Sequence, residues 1–133
     1  DTGEGLLTAG FVVTGAAPKR VLIRGIGPSL TAFGVTGTLA DPVLKLYQGT
    51  TVIAQNDDWQ SPQPIGSIVT PAGEAEITAA SANAGAFPIP RGGRDAALLV
   101  TLSPGDYTVT ISGANNTTGA GLIEVYDAPA SER

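Results

Sequence analysis

Apolar side chains along this chain come in short runs, separated by glycine, proline and small polar residues. Residues 6–13 hold the first run and predict a buried strand, closed by a turn at Gly15-Ala16-Ala17-Pro18. Residues 20–24 predict a second strand with a charge at each end, Arg20 and Arg24, before Gly25-Ile26-Gly27-Pro28-Ser29 breaks it. Residues 43–47 and 51–55 flank Gly49-Thr50 and read as a hairpin. Residues 95–102 predict another strand, followed by a turn at Ser103-Pro104-Gly105-Asp106. Tyr107, Val109 and Ile111 then alternate with Thr108, Thr110 and Ser112, a period of two with one buried face. Residues 122–126 form the last apolar run. Short strands separated by turn signals, without alternating helices, predict an all-β, antiparallel, jelly-roll-like β-sandwich, with the whole of 1–133 as one domain.

One stretch breaks the rhythm. From Gln60 to Gly93 the chain carries five prolines, several glycines and many alanines. So long an insertion in a small domain tends to be functional or to hold local structure. Residues 72–84 are long enough for a short helix, with Glu74 and Glu76 placed to favour its N-terminus.

Composition narrows the chemistry. The 133 residues include 18 glycines and 10 prolines, and no Cys, Met or His. No disulfide framework, thiolate nucleophile or soft-metal site can be built. Without histidine the commonest general base is missing too. Seven Lys and Arg against twelve Asp and Glu give a net charge of −5, a poor match for nucleic acid. The one basic cluster is Lys19, Arg20 and Arg24. No apolar run approaches the roughly 20 residues of a spanning helix, so membrane insertion is not expected. The chain opens at Asp1 without a charged-then-apolar leader, which for a secreted protein implies a signal already removed.

The clusters that could carry chemistry each have a plainer explanation. Val21 to Gly27 look superficially like a strand running into a dinucleotide-binding loop. Pro28 follows the second glycine, however, Leu30 stands where a third small residue is needed, and Gly34 and Gly37 spoil the helix. Asn56-Asp57-Asp58 gathers oxygen ligands at a strand end. A local Asx-turn accounts for it most simply; Ca2+ is the alternative, and needs six to eight oxygens, with Asp41, Asp95 or loop carbonyls helping. Neither Glu74 with Glu76 nor Asp57 with Asp58 comes with an aromatic sugar platform, and Trp59 reads as a core or loop anchor. Ser29 sits in no nucleophile elbow. Arg94-Asp95 predicts a local ion pair at the start of its strand, and Asn115-Asn116-Thr117-Thr118 holds overlapping glycosylation acceptors. The expectation is a protein without catalytic activity.

Several of these stretches together resemble a repeat module of large secreted and surface proteins of Verrucomicrobia-type bacteria. They are residues 7–13, 19–30 with Arg24-Gly25-Ile26-Gly27-Pro28-Ser29, 39–47, Ala54-Gln55-Asn56-Asp57-Asp58-Trp59, 85–87, 94–99 and 119–127. The part from Asp41 onward is also loosely similar to bacterial pre-peptidase C-terminal β-sandwich domains, which accompany secreted enzymes and in some cases bind calcium. The resemblance implies an extracellular or cell-surface module that is not catalytic. In the module a further strand usually precedes the glycine-rich start, and here the chain opens directly with Asp1-Thr2-Gly3-Glu4-Gly5. That departure suggests a sandwich one strand short, completed by a second copy or a flanking segment. The expected partner is the chain itself, as a homopolymer or tandem copies forming a filament or stalk. Leu6, Phe11 and Val13 are the candidate interface residues. The alternative is a calcium-dependent or carbohydrate-binding module appended to a secreted enzyme, with Asn56, Asp57, Asp58 and Asp41 as ligands for calcium.

Overall fold

A computed structural model describes residues 7–57, 59, 74–89, 94–113 and 119–128. The strands are β1 (Leu7–Val13), β2 (Lys19–Ile26), β3 (Pro42–Gln48), β4 (Thr51–Asn56), β5 (Ala96–Leu102), β6 (Gly105–Gly113) and β7 (Leu122–Asp127). Helix α1 spans Glu74–Asn83, and a 3-10 helix spans Pro28–Phe33. Two antiparallel sheets result, one ordered β1-β6-β3-β4 and the other β5-β2-β7. The all-β sandwich expected from the pattern is the fold observed.

The core between the sheets is assembled from alternate residues. Val21 and Ile23 of β2, Leu98 and Val100 of β5, Leu44 and Leu46 of β3, and Tyr107 and Val109 of β6 meet there. The outer face of the four-stranded sheet is only partly covered, so β3 and β6 alternate between buried and half-buried residues. The three-stranded sheet is different, because its far face carries a second cluster. Leu22 and Ile26 of β2 and Ala97 and Leu99 of β5 pack there against Ile77, Ala80, Trp59 and Ile89. The molecule therefore has three layers, and β2 and β5 are buried on both faces. That explains why Ala96-Ala97-Leu98-Leu99-Val100 is continuously apolar instead of alternating.

Helix α1 closes the third layer. Ile77, Ala80 and Ser81, at helical spacing, are its buried residues. It ends at Gly85, whose φ of 77° is left-handed, and Ala86 N–H reaches back to Ser81 O at 2.9 Å. The helix expected over 72–84 is thus present, slightly shorter. The expected break at Gly25 is not: β2 continues through Ile26, pairing with β5 on one side and β7 on the other. Gly27 is needed for close approach, since a Cβ there would lie 2.2 Å from Leu39 O. Its glycine serves chain packing.

Candidate functional site

The two flanks of the sandwich are built differently. On one flank run β4 and β5, tied together by one side-chain and one backbone hydrogen bond. Asn56 Oδ1 accepts the Ala97 N–H at 3.1 Å, and the Trp59 N–H donates to Asp95 O at 3.0 Å. Asn56 and Trp59 are both buried. This flank is stitched shut.

The other flank is open. Here lie β1, the edge of the four-stranded sheet, and β7, the edge of the three-stranded sheet, each paired on one side with a described strand. Between them runs a groove of about 200 Å³ lined by Phe11, Val12, Val13, Lys19, Val21, Val125, Tyr126 and Asp127. Four large apolar side chains are exposed on these strands: Leu7 at 40%, Val12 at 60%, Leu122 at 38% and Val125 at 37%. The remaining exposed large apolar side chain among the described residues is Phe33, which leans on Phe87 with ring centroids 5.0 Å apart. Among the described residues, exposed apolar surface is therefore concentrated on one flank, along two strands whose outer edges no described strand pairs.

The register of β1 decides which of its side chains face out. Leu7, Ala9 and Phe11 stand opposite Ile111, Val109 and Tyr107 of β6, all buried. Phe11 stacks on Tyr107 at 5.6 Å, and Val13 is 4% exposed. The expected interface residues thus divide. Phe11 and Val13 belong to the edge strand but point into the sandwich, Leu6 lies outside the described residues, and the outward apolar residue is Val12. A strand read from its apolar run as buried is an exposed edge. Nothing in its composition distinguishes the two, because the difference lies in how many neighbours the strand acquires.

The putting-together of β7 and β2 buries a charge that the sequence pattern placed at a strand end. Arg24 has no exposed surface. Its Nε lies 2.9 Å from Glu124 Oε1, though the N–H is not aligned on that oxygen, and Nη1 donates to Phe87 O at 2.8 Å. The guanidinium also sits 4.4 Å from the centre of the Phe87 ring. Burial lowers the Arg24 pKa below its ordinary value, while Glu124 opposes the shift. Burial and a hydrogen bond to Glu124 raise the Tyr126 pKa. The cluster clamps the segment bearing Phe87 onto the sheet.

Asp95 makes a second clamp. Its side chain is 1% exposed. Oδ1 accepts the Gly27 N–H at 2.9 Å and the Ser29 N–H at 3.3 Å, and Oδ2 accepts the Ser29 hydroxyl. Arg94 does not pair with Asp95, as its position suggested; it reaches Asp41 Oδ2 at 3.2 Å. The two neighbours lie just before β5, Arg94 exposed and Asp95 buried. The Ser29–Asp95 pair has no imidazole and anchors the turn after β2.

For the proposed calcium ligands the placement is mixed. Asn56 gives its amide oxygen to the fold, and Asp41 is engaged by Arg94. Asp57 follows β4 and is half-buried, while Asp58 lies outside the described residues, as do Asn115, Asn116, Thr117 and Thr118. Among the described residues no three acidic side chains are grouped to hold a cation. An apolar hollow of about 180 Å³ beneath α1 is lined by Trp59, Ile77, Ser81, Pro88 and Ile89 among others. No helix of the described residues is long and apolar enough to cross a membrane. Comparisons with protein-family models, curated proteins and solved structures find no match for the chain. The fold and its open flank define an all-β sandwich with exposed apolar strand edges.

Proposed function

We propose that this chain is a non-catalytic structural domain of an extracellular bacterial assembly, a surface filament or stalk, and that it self-associates through its strand edges. The observation that carries the reading is the concentration of exposed apolar side chains on β1 and β7, beside the groove between them. Edges of this kind, paired with no further described strand, invite another strand, and natural domains blunt them unless they are used. The resemblance of residues 7–13, 19–30 and 119–127 to a surface-protein repeat module supports the same reading. So does a composition without Cys, Met or His, which leaves little to oxidise.

The test is imaging of the purified protein by negative-stain electron microscopy, paired with sedimentation over a range of concentrations, in calcium and in EDTA. Regular particles or filaments of constant width are expected in both buffers. Monomers at every concentration would overturn self-association. Loss of assembly in EDTA would transfer the role to a bound cation.

A further inference from the structure

We infer that β1 pairs antiparallel with β1 of a second copy, around a two-fold axis that passes at Gly10. This rests on the self-association proposed above and adds the strand, the symmetry and the register.

The four sheet edges are not equally open to a partner. The β4 edge carries a bulge, where its register with β3 shifts between Leu46 and Tyr47. The start of β5 is tied down by Asn56 and Trp59. β7 ends in the exposed Asp127, a charge on its edge, while its Glu124 is committed to Arg24. β1 has none of these devices. Its seven residues include no charge and no proline, and its register with β6 runs unbroken from Leu7↔Ile111 to Val13↔Gly105. Bulges, charges and prolines are the usual protections of an edge strand. β1 and β5 both lack them, but the start of β5 is already engaged by Asn56 and Trp59, which leaves β1.

The sequence of β1 is also complementary to itself. A two-fold axis at Gly10 sets Ala9 opposite the partner's Phe11, Thr8 opposite the partner's Val12, and Leu7 opposite the partner's Val13. On the outer face each exposed Val12 covers a threonine, a favourable β-branched pair. On the inner face the bulky Phe11 meets a small residue, and Gly10 meets Gly10 at the centre, where two backbones approach without side chains between them. Because the axis sets β1 against the same strand of the second copy, the contact is isologous and closes on itself. A filament using this contact is a string of two-fold pairs joined by some second contact.

Gly10 offers a direct probe, because the natural chain has no cysteine. A Cβ at Gly10 finds Tyr107 O at 3.7 Å, ordinary contact, so Gly10→Cys fits the fold. Directly opposed residues of an antiparallel pair have Cα atoms about 4.5–5.5 Å apart, within disulfide range. Under mild oxidation Gly10→Cys is expected to cross-link to a covalent dimer at least about tenfold faster than Thr51→Cys, on the exposed far edge, or Val12→Cys, whose two-fold mate is four residues out of register. A mixture of Thr8→Cys and Val12→Cys proteins is expected to form the heterodimer. Val12→Lys is expected to weaken dimerisation about 100-fold by sedimentation equilibrium with an unchanged melting curve, since Val12 is 60% exposed. Wild-type protein that self-associates, with cross-linking no faster at Gly10 than at Thr51 and no response to Val12→Lys, overturns this contact and leaves assembly standing. A monomeric wild type overturns both.

Discussion

Replacing Asp95 by alanine removes the acceptor that holds the turn after β2 against the start of β5. Gly27 is buried, and its N–H has Asp95 Oδ1 as partner at 2.9 Å. Bonds to an ionised acceptor contribute about 1.5–3 kcal/mol each. Ser29 is only partly buried, so water can recover some of what its N–H and hydroxyl lose, and the Gly27 bond dominates. Asp95→Ala is expected to cost about 3–5 kcal/mol, the sum of one orphaned N–H and one or two weakened bonds. Asp95→Asn keeps an oxygen for Gly27, and its NH₂ can donate to the Ser29 hydroxyl, so about 1–2 kcal/mol is expected. Ser29→Ala removes a single donor and is expected to cost about 1 kcal/mol. For a chain of this length each kcal/mol moves the melting temperature by about 3–4 °C, so the three variants are separable by calorimetry. Urea titration should give the same order with an unchanged slope. If Asp95→Ala costs under about 1 kcal/mol, or Asn costs as much as Ala, the carboxylate is not the anchor of this turn.

The buried Arg24–Glu124 pair predicts strong non-additivity: Arg24→Met alone costs about 3–5 kcal/mol, whereas Arg24→Met with Glu124→Leu costs clearly less than the sum of the single changes, as a denaturation cycle would read. Gly27→Ala forces the backbone away from Leu39 O and is expected to destabilise by more than about 3 kcal/mol; a change under 1 kcal/mol would show that this approach is not fixed. Burial raises the phenol pKa of Tyr107 and of Tyr126, so the stability they lend is full below the unfolded value of about 10 and falls as pH rises through the folded values. The Tyr107→Phe, Tyr126→Phe double variant is therefore expected to flatten the alkaline limb of the stability curve, and an unaltered limb would place its cause elsewhere. Finally, calcium at 1 mM is expected to shift the wild-type melting temperature by less than about 1 °C relative to EDTA; a shift of several degrees would restore the cation site at Asp41, Asp57 and Asp58.

Much of the architecture follows from local pattern alone. The alternation of Tyr107, Val109 and Ile111 with threonine and serine fixed β6 and its buried face, and Gly49-Thr50 between apolar runs fixed the β3–β4 hairpin. The absence of Cys, Met and His by itself excludes whole classes of chemistry. Periodicity and composition report on a residue's own strand, which is why these readings needed no partner.

What only tertiary structure decided is who sits beside whom. Residues 6–13 and 95–102 are both apolar runs, yet β5 is buried on both faces while β1 is an edge with Val12 in solvent. Arg24 has the look of a charge at a strand end, and becomes buried because β7 brings Glu124 alongside it and Phe87 covers it. Asp95, adjacent to Arg94, turns instead to Gly27 and Ser29, 68 and 66 residues away. Burial and pairing in a sandwich are set by contacts distant in sequence, and no window along the chain contains both members of such a pair.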